Sequence, residues 1–246
     1  MVELNTIYNE DCLVGMTDIP DKSIDMILCD LPYGTTRNKW DTVIPLDELW
    51  EQYDRVIKDN GAIVLTAQTP FDKVLGASNI KRLKYEWIWR KPAGTGHLNV
   101  KKMPMKNHEN VLVFYKKLPT YNPQMTPGKP YTRKSGRAST NYNPQVPVET
   151  VISGERYPLT VQEFKSDRGL HPTQKPVELF EFLIKTYTNE GETVLDNCMG
   201  SGTTAIAAIN TGRNYIGYEL DPDYHSIAEE RIAKHVAATD EKETIK

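Results

Sequence analysis

The sequence predicts an α/β protein built on a doubly wound, mainly parallel sheet, and three observations predict it. Short apolar runs of strand length alternate with stretches whose apolar residues recur at helical spacing. Two of these runs, Met26-Ile27-Leu28-Cys29 and Val194-Leu195, end in an acid, Asp30 and Asp196 respectively. A turn follows each acid: Leu31-Pro32-Tyr33-Gly34 after the first, Asn197 to Gly202 with two glycines after the second. Acids at the carboxyl ends of buried parallel strands stand on the rim where such sheets bind ligands.

The elements follow in order. Leu4 to Asp11 reads as a short strand ending in Glu10-Asp11, which makes Asp11 a further strand-end acid. Asp18 to Ser23 is a turn into the strand at 24–29, and a polar loop runs from Thr35 to Asp41. Leu46, Leu49, Trp50, Tyr53, Val56 and Ile57 keep helical spacing until Asn60-Gly61 stops the helix. Strands follow at 62–67, 85–90 and 110–115, with a helix over 71–79. Farther on, Pro176 sits at a first helical position, and Val177, Phe180, Leu183, Ile184 and Tyr187 form an apolar stripe closed by Asn189-Glu190-Gly191. A strand at 193–196, a helix after Gly202 closed by Gly212, a strand at 215–219 and a helix begun by Asp221-Pro222 complete the pattern.

Between 116 and 168 the periodicity breaks down into prolines, tyrosines and asparagines, so the 246 residues read as one domain with an insertion, followed by a frayed polar tail at 238–246. With 39% hydrophobic and 26% charged residues and a formal charge of -3, the chain has no bulk attraction for polyanions. Any nucleic-acid binding must come from a local basic surface. The insertion offers one: Lys129, Arg133, Lys134, Arg137 and Arg156 face few acids and alternate with Tyr121, Tyr131 and Tyr142, a mixture suited to phosphates and bases. Lys101, Lys102 and Lys106, between two predicted strands, are a second candidate patch. Cys12, Cys29 and Cys198 form no CxxC pair and read as buried hydrophobes, with neither disulfide nor metal site expected. No apolar run approaches the roughly 20 residues that cross a bilayer, so the expected location is cytoplasmic, away from membranes.

Asp196 to Glu219 has the order of a nucleotide-binding βαβ unit: strand, acid, Gly200-Ser201-Gly202, helix, strand, acid. Glycines let the backbone approach a ligand, and Glu219 falls about twenty residues on, where ribose hydroxyls are held. The third glycine of the dinucleotide pattern is missing and Thr203-Thr204 stand nearby instead, which favours a nucleoside with a charged tail over a pyrophosphate.

On these residues the chain resembles the S-adenosylmethionine-dependent DNA amino-methyltransferases. Asp30-Leu31-Pro32-Tyr33 is similar to their Asp-Pro-Pro-Tyr motif, Asp196 to Thr204 to their cofactor motif, and His171-Pro172-Thr173-Gln174-Lys175-Pro176 to a third. The order, catalytic motif before cofactor motif, resembles the permuted β class. The resemblance implies a Rossmann-like methyltransferase sheet in which the strands before Asp30 and Asp196 are neighbours. It implies S-adenosyl-L-methionine held by Asp11, Asp30, His171, Thr173, Lys175, Asp196, Gly200, Ser201, Gly202, Thr203 and Glu219. It also implies catalysis by Asp30, Leu31, Pro32 and Tyr33 without a metal, and DNA, flipped at the target base, contacted by Lys101, Lys102, Arg133, Lys134 and Arg137 of a target-recognition insertion.

An exocyclic amino nitrogen delocalises its lone pair into the ring and needs acceptors for its protons; the Asp30 carboxylate and the backbone carbonyl of Leu31 would supply them, with Tyr33 stacked on the base. Leu31 in place of the family's proline keeps the carbonyl but loosens the turn. In the family the chain resembles, Asp at the first motif position most often accompanies adenine methylation, so the resemblance implies the N6 of adenine as target, with the N4 of cytosine or a silent DNA-binding protein of the same fold as alternatives. A restriction-modification setting and a homodimer are compatible with the resemblance.

Overall fold

The computed structural model describes residues 2–35, 41–135, 148–167 and 174–244. They divide into two compact units, Met1–Asn122 with Thr160–Lys246, and Pro123–Leu159. The first unit opens with β1 (Thr6–Tyr8), α1 (Cys12–Gly15), β2 (Ile24–Cys29), α2 (Leu46–Val56), β3 (Ile57–Ala67), α3 (Phe71–Ser78), β4 (Leu83–Thr95) and β5 (Lys106–Phe114). The second unit contains β6 (Thr126–Pro127), β7 (Tyr131–Ser135), β8 (Val148–Ile152) and β9 (Glu155–Arg156). The first resumes with β10 (Val161–Glu163), α4 (Val177–Tyr187), β11 (Thr193–Asp196), α5 (Thr203–Asn210), β12 (Asn214–Tyr218) and α6 (Pro222–Thr244).

Eight strands form one sheet in the order β1-β12-β11-β2-β3-β5-β4-β10. All neighbours are parallel except β5, which runs antiparallel to both β3 and β4. Strands buried on both faces read as continuous apolar runs, which is why 26–29 and 194–195 show no alternation. Met26, Leu28 and Val194 belong to a core with Leu179, Leu183 and Ile184 of α4, Ala205 and Ala208 of α5, and Ala228 of α6. Ile27, Cys29 and Leu195 belong to the opposite core, with Leu49, Tyr53 and Val56 of α2 and Phe71 and Leu75 of α3. Each fully buried Leu, Ile or Phe contributes about 1.5–3 kcal/mol, so the double-sided sheet is the main source of stability. Val194 lies opposite Met26 and Leu195 opposite Ile27, so two acids far apart in sequence share one rim.

Several boundaries differ from the sequence reading. The helix expected to reach Asn60 stops at Val56, because Ile57 already pairs with Ile24 and Lys22 Nζ donates to the carbonyls of Asp54 (2.7 Å) and Ile57 (3.1 Å). Gly61 serves the sheet instead, since a Cβ there would meet the Asp25 carbonyl at 2.7 Å. Pro176 is the cap of α4 rather than its first residue, and Asp167 Oδ2 accepts from Val177 N at 3.1 Å. Helix α6 continues to Thr244 through the stretch expected to fray, where Ala, Glu and Lys are strong helix formers.

The second unit, inside the expected 116–168 insertion, is not patternless. It holds two antiparallel ribbons, β6 with β9 and β7 with β8. None of its described residues is buried. What ties it together is polar: Arg156 donates to the Lys129 carbonyl and lies 4.6 Å over the Tyr131 ring, and Gly128 N donates to Gly154 O at 2.5 Å. Among the described residues no helix is long and apolar enough to cross a membrane.

Candidate active site

β2 delivers Asp30 one residue past its last paired position, and three side chains donate to it: one from β3, one from the turn that follows β2 and one from the segment just ahead of α4. Lys175 Nζ donates to Oδ2 at 2.5 Å; Tyr33 Oη (2.7 Å) and Thr66 Oγ1 of β3 both donate to Oδ1. Lys175 is buried and also faces Glu109 Oε2 of β5 at 3.4 Å, while Lys91 of β4 pairs with Glu109 Oε1. Asp30, Lys175, Glu109 and Lys91 thus form an alternating chain of charges with no net charge. Burial alone would lower the Lys175 ammonium, but the two carboxylates outweigh it and raise the group above its ordinary value. Burial would likewise raise Glu109, and the two lysines hold it below the usual carboxylate range.

The Tyr33 ring stacks on Phe71 at 5.4 Å between centroids, with Lys175 Nζ 5.5 Å from its centre. Burial, then Asp30 and Glu109, push its hydroxyl well up, so it remains a proton donor. Leu31 is buried in the core beneath, and Pro32 is half-buried. The turn expected to be loosened by Leu31 is clamped by Asp41, whose carboxylate accepts from Gly34 N (2.8 Å) and Thr35 N (2.9 Å).

The neighbouring strand end is built differently. Asp196 is buried at the tip of β11, and its oxygens accept from Cys198 N (3.0 Å) and Thr204 Oγ1. Burial, the largest influence, pushes its pKa up to about 6 against those hydrogen bonds. The chain then turns through Gly200 (φ +55) and Gly202 (φ +82), left-handed positions that favour glycine, before α5 begins. Glu219 Oε2 accepts from Gly200 N (2.7 Å) and Oε1 from Asp221 N (2.9 Å); burial raises its pKa and these N–H groups oppose the rise. Arg231 of α6 braces the same turn, its Nη1 donating to Ser201 O (2.8 Å), Ser201 Oγ (3.2 Å) and Thr203 Oγ1 (3.2 Å). Asp11 caps α1, accepting from Leu13 N at 2.8 Å. Burial pushes the Cys29 thiol up to about 12, and all three cysteines are free.

The structure therefore brings together Asp30, Tyr33 and Lys175 on one side and Asp196, Gly200, Ser201, Gly202, Thr203 and Glu219 on the other. Lys175, expected against the cofactor, has its ammonium on Asp30; its carbonyl accepts from Thr203 Oγ1 at 3.4 Å, which links the two sides. His171, Thr173, Arg137 and Tyr142 lie outside the described residues. Lys101 and Lys102 are exposed in the connection between β4 and β5, but Lys106 is half-buried in β5 with Nζ on Gln68 Oε1 at 2.5 Å, which takes it out of the expected basic patch. In the second unit Arg133 and Lys134 are exposed on β7, and Lys134 faces Glu149 at 3.8 Å. Thr66, Glu109, Lys91, Asp41 and Arg231 were not singled out from the sequence. Glu109 carried a signal: it is an acid two residues ahead of the apolar run 111–114.

Comparison with known families settles the class. The profile of the DNA methylase family matches residues 24–230. The chain belongs to that family. Two relatives are each 30% identical to this DNA methylase: the type II methyltransferase M.BglII of Bacillus subtilis, over 92% of this chain and 68% of that one, and the DNA adenine methyltransferase YhdJ of Escherichia coli K12, over 96% and 86%. Among solved structures, the PvuII DNA methyltransferase, described as cytosine-N4-specific, superposes with a TM-score of 0.70 at 16% identity over 93% of this chain and 86% of that one. The M1.HpyAVI–SAM complex gives 0.64 at 24% identity over 92% and 98%. Both likenesses establish the α/β fold with its mainly parallel sheet.

Proposed function

We propose that this DNA methylase transfers a methyl group from S-adenosyl-L-methionine to the exocyclic N6 of a flipped adenine. The observation that carries the reading is the rim shared by Asp30 and Asp196. One strand end offers a carboxylate beside an aromatic face; the adjoining one offers a glycine turn ringed by acids. The acid-rich turn fits the cofactor: Glu219 suits ribose hydroxyls, and Gly200 leaves the backbone uncovered, with only Cys198 O at 4.0 Å from where a Cβ would stand. Asp196, Gly200, Gly202 and Glu219 would hold it, with Ser201 and Thr203 shaping the turn and Asp11 beside it. When bound, the cofactor supplies a methyl group activated on a sulfonium.

The chain's own residues then have the following tasks. Asp30 Oδ1 accepts an N–H of the target amino group, displacing the hydroxyls of Tyr33 and Thr66, and takes the proton that the nitrogen sheds. The Leu31 carbonyl accepts the other N–H. Lys175 holds Oδ2, so the carboxylate stays fixed in orientation while Oδ1 changes partner. Tyr33, backed by Phe71, stacks on the base and offsets part of the few kcal/mol that unstacking costs. Exposed Arg133 and Lys134 of the second unit contact phosphates in target recognition.

Adenine is preferred because Asp30 occupies the first motif position and because YhdJ is named an adenine enzyme. The type II naming of M.BglII supports a restriction-modification setting. The test is incubation with mixed-sequence DNA and cofactor, digestion to nucleosides and mass spectrometry. N6-methyladenine is expected; N4-methylcytosine would change the target and leave the acceptors in place; cofactor binding without transfer would leave only a silent DNA-binding protein.

A further inference from the structure

The connection from β4 to β5 is a protruding hairpin whose composition is not that of an ordinary loop. Between Pro92 and His108 it contains no acid, in a chain of net charge -3, while His97, Lys101, Lys102 and Lys106 lie within it. Its tip exposes large apolar side chains: Leu98 is fully exposed (100%), and Met103, Val100 and Met105 are 57%, 50% and 39% exposed. The backbone of the tip is nonetheless held in place. A 3-10 turn spans His97–Asn99, the N–H groups of Lys102 and Met103 both donate to Asn99 O (2.8 and 3.0 Å), and Thr95 pairs with Lys106 at the base.

Its direction follows from register. Cys29 lies opposite Leu65, and Ala67 opposite Asn110, so β5 begins beyond the end of β2 and the hairpin leaves the sheet from the rim that carries Asp30. Its base is tied to that acid through Lys91, Glu109 and Lys175. Exposed apolar side chains among cations, with no acid, match a polyanion that has an apolar interior. A base stack between phosphate strands is such a partner, and it is the one the adjoining site serves.

Resting on the DNA-methylation reading, we propose that the hairpin tip enters the duplex beside the target base pair, with Leu98 and Met103 as the wedge that fills the stack left by the departing base. Lys101 and Lys102 hold the flanking phosphates. A wedge acts only where a stack must be opened, so its removal penalises paired DNA and spares separated strands.

The experiment compares wild type, L98S/M103S and K101Q/K102Q for transfer of labelled methyl groups to mixed-sequence duplex and to the same DNA heat-denatured. The L98S/M103S variant, altered only at exposed positions, is expected to lose about tenfold on duplex and less than about twofold on separated strands, the unstacking energy being a few kcal/mol. K101Q/K102Q is expected to weaken transfer to duplex with a shallower salt dependence. Equal loss of L98S/M103S on both substrates, or none on duplex, overturns the wedge. A second readout needs no methyl transfer: the wild type is expected to bind duplex with scattered abasic sites several-fold more tightly than intact duplex, and L98S/M103S to lose that preference. A wild type that transfers no methyl yet keeps the preference overturns the activity and retains the wedge; absence of both overturns both. Binding to anionic phospholipid vesicles that L98S/M103S abolishes, with duplex transfer unchanged, assigns the tip to a lipid surface instead.

Discussion

Asp30 and Asp196 end adjacent parallel strands, yet their surroundings are opposite in kind. Asp30 faces a buried ammonium and two side-chain hydroxyls, whereas Asp196 meets no cation among the described residues and is held by a backbone N–H and the Thr204 hydroxyl. A carboxylate gripped by a cation is held in orientation at one oxygen, while one held by a turn fixes the backbone around it. The first arrangement suits an acceptor that exchanges partners, the second a rigid cradle.

The largest expected effect breaks that comparison at its chemical end. Asp30→Asn keeps shape but removes the proton acceptor, so methyl transfer should fall roughly a thousandfold, within the range for loss of a general base. Cofactor affinity by calorimetry should be unchanged. Near-normal turnover would remove Asp30 from the chemistry.

Lys175→Met tests the charge chain. It leaves the carboxylates of Asp30 and Glu109 without their shared buried cation, and urea unfolding should show a loss of about 3–5 kcal/mol. Adding Glu109→Gln should recover part of that loss. A change below about 1 kcal/mol would mean that the pair behaves as a solvated surface bridge.

Asp196 gives a pH signature. Its folded pKa of about 6 lies above the unfolded value, so the folded state binds the proton more tightly. Its contribution is fully present below about pH 4 and is lost as pH rises toward 6, with a total near 3 kcal/mol. Asp196→Asn should flatten the pH dependence of the urea midpoint in that window. An unchanged slope would show that Asp196 is ionised and solvated in the folded protein.

The smallest effect concerns the brace of the turn. Arg231→Met removes the hydrogen bonds to Ser201 and Thr203 and should weaken cofactor binding about tenfold, the equivalent of one or two hydrogen bonds, with kcat little changed. A fall in kcat at unchanged affinity would place Arg231 with the chemistry.

The amino-acid sequence by itself determined the main helices and strands outside 116–168, the double-sided sheet and the two strand-end acids, but not α1 or β6 to β10. Those properties depend on local pattern: apolar runs flanked by turn residues have few other ways to be satisfied. The glycines at 200 and 202 were legible for the same reason, since a left-handed turn asks for that residue type whatever surrounds it. The partners of the acids were not legible. Glu109 and Lys91 meet because β5 runs antiparallel to β4, and Lys175 meets Asp30 across 145 residues. Asp41 clamps a turn that its own loop returns to, and Arg231 reaches Ser201 from the last helix. A charged side chain is equally at home in water, so its pattern along the chain says little; only when the fold withdraws it from solvent must it find a counter-charge, and tertiary structure alone decides which one is within reach.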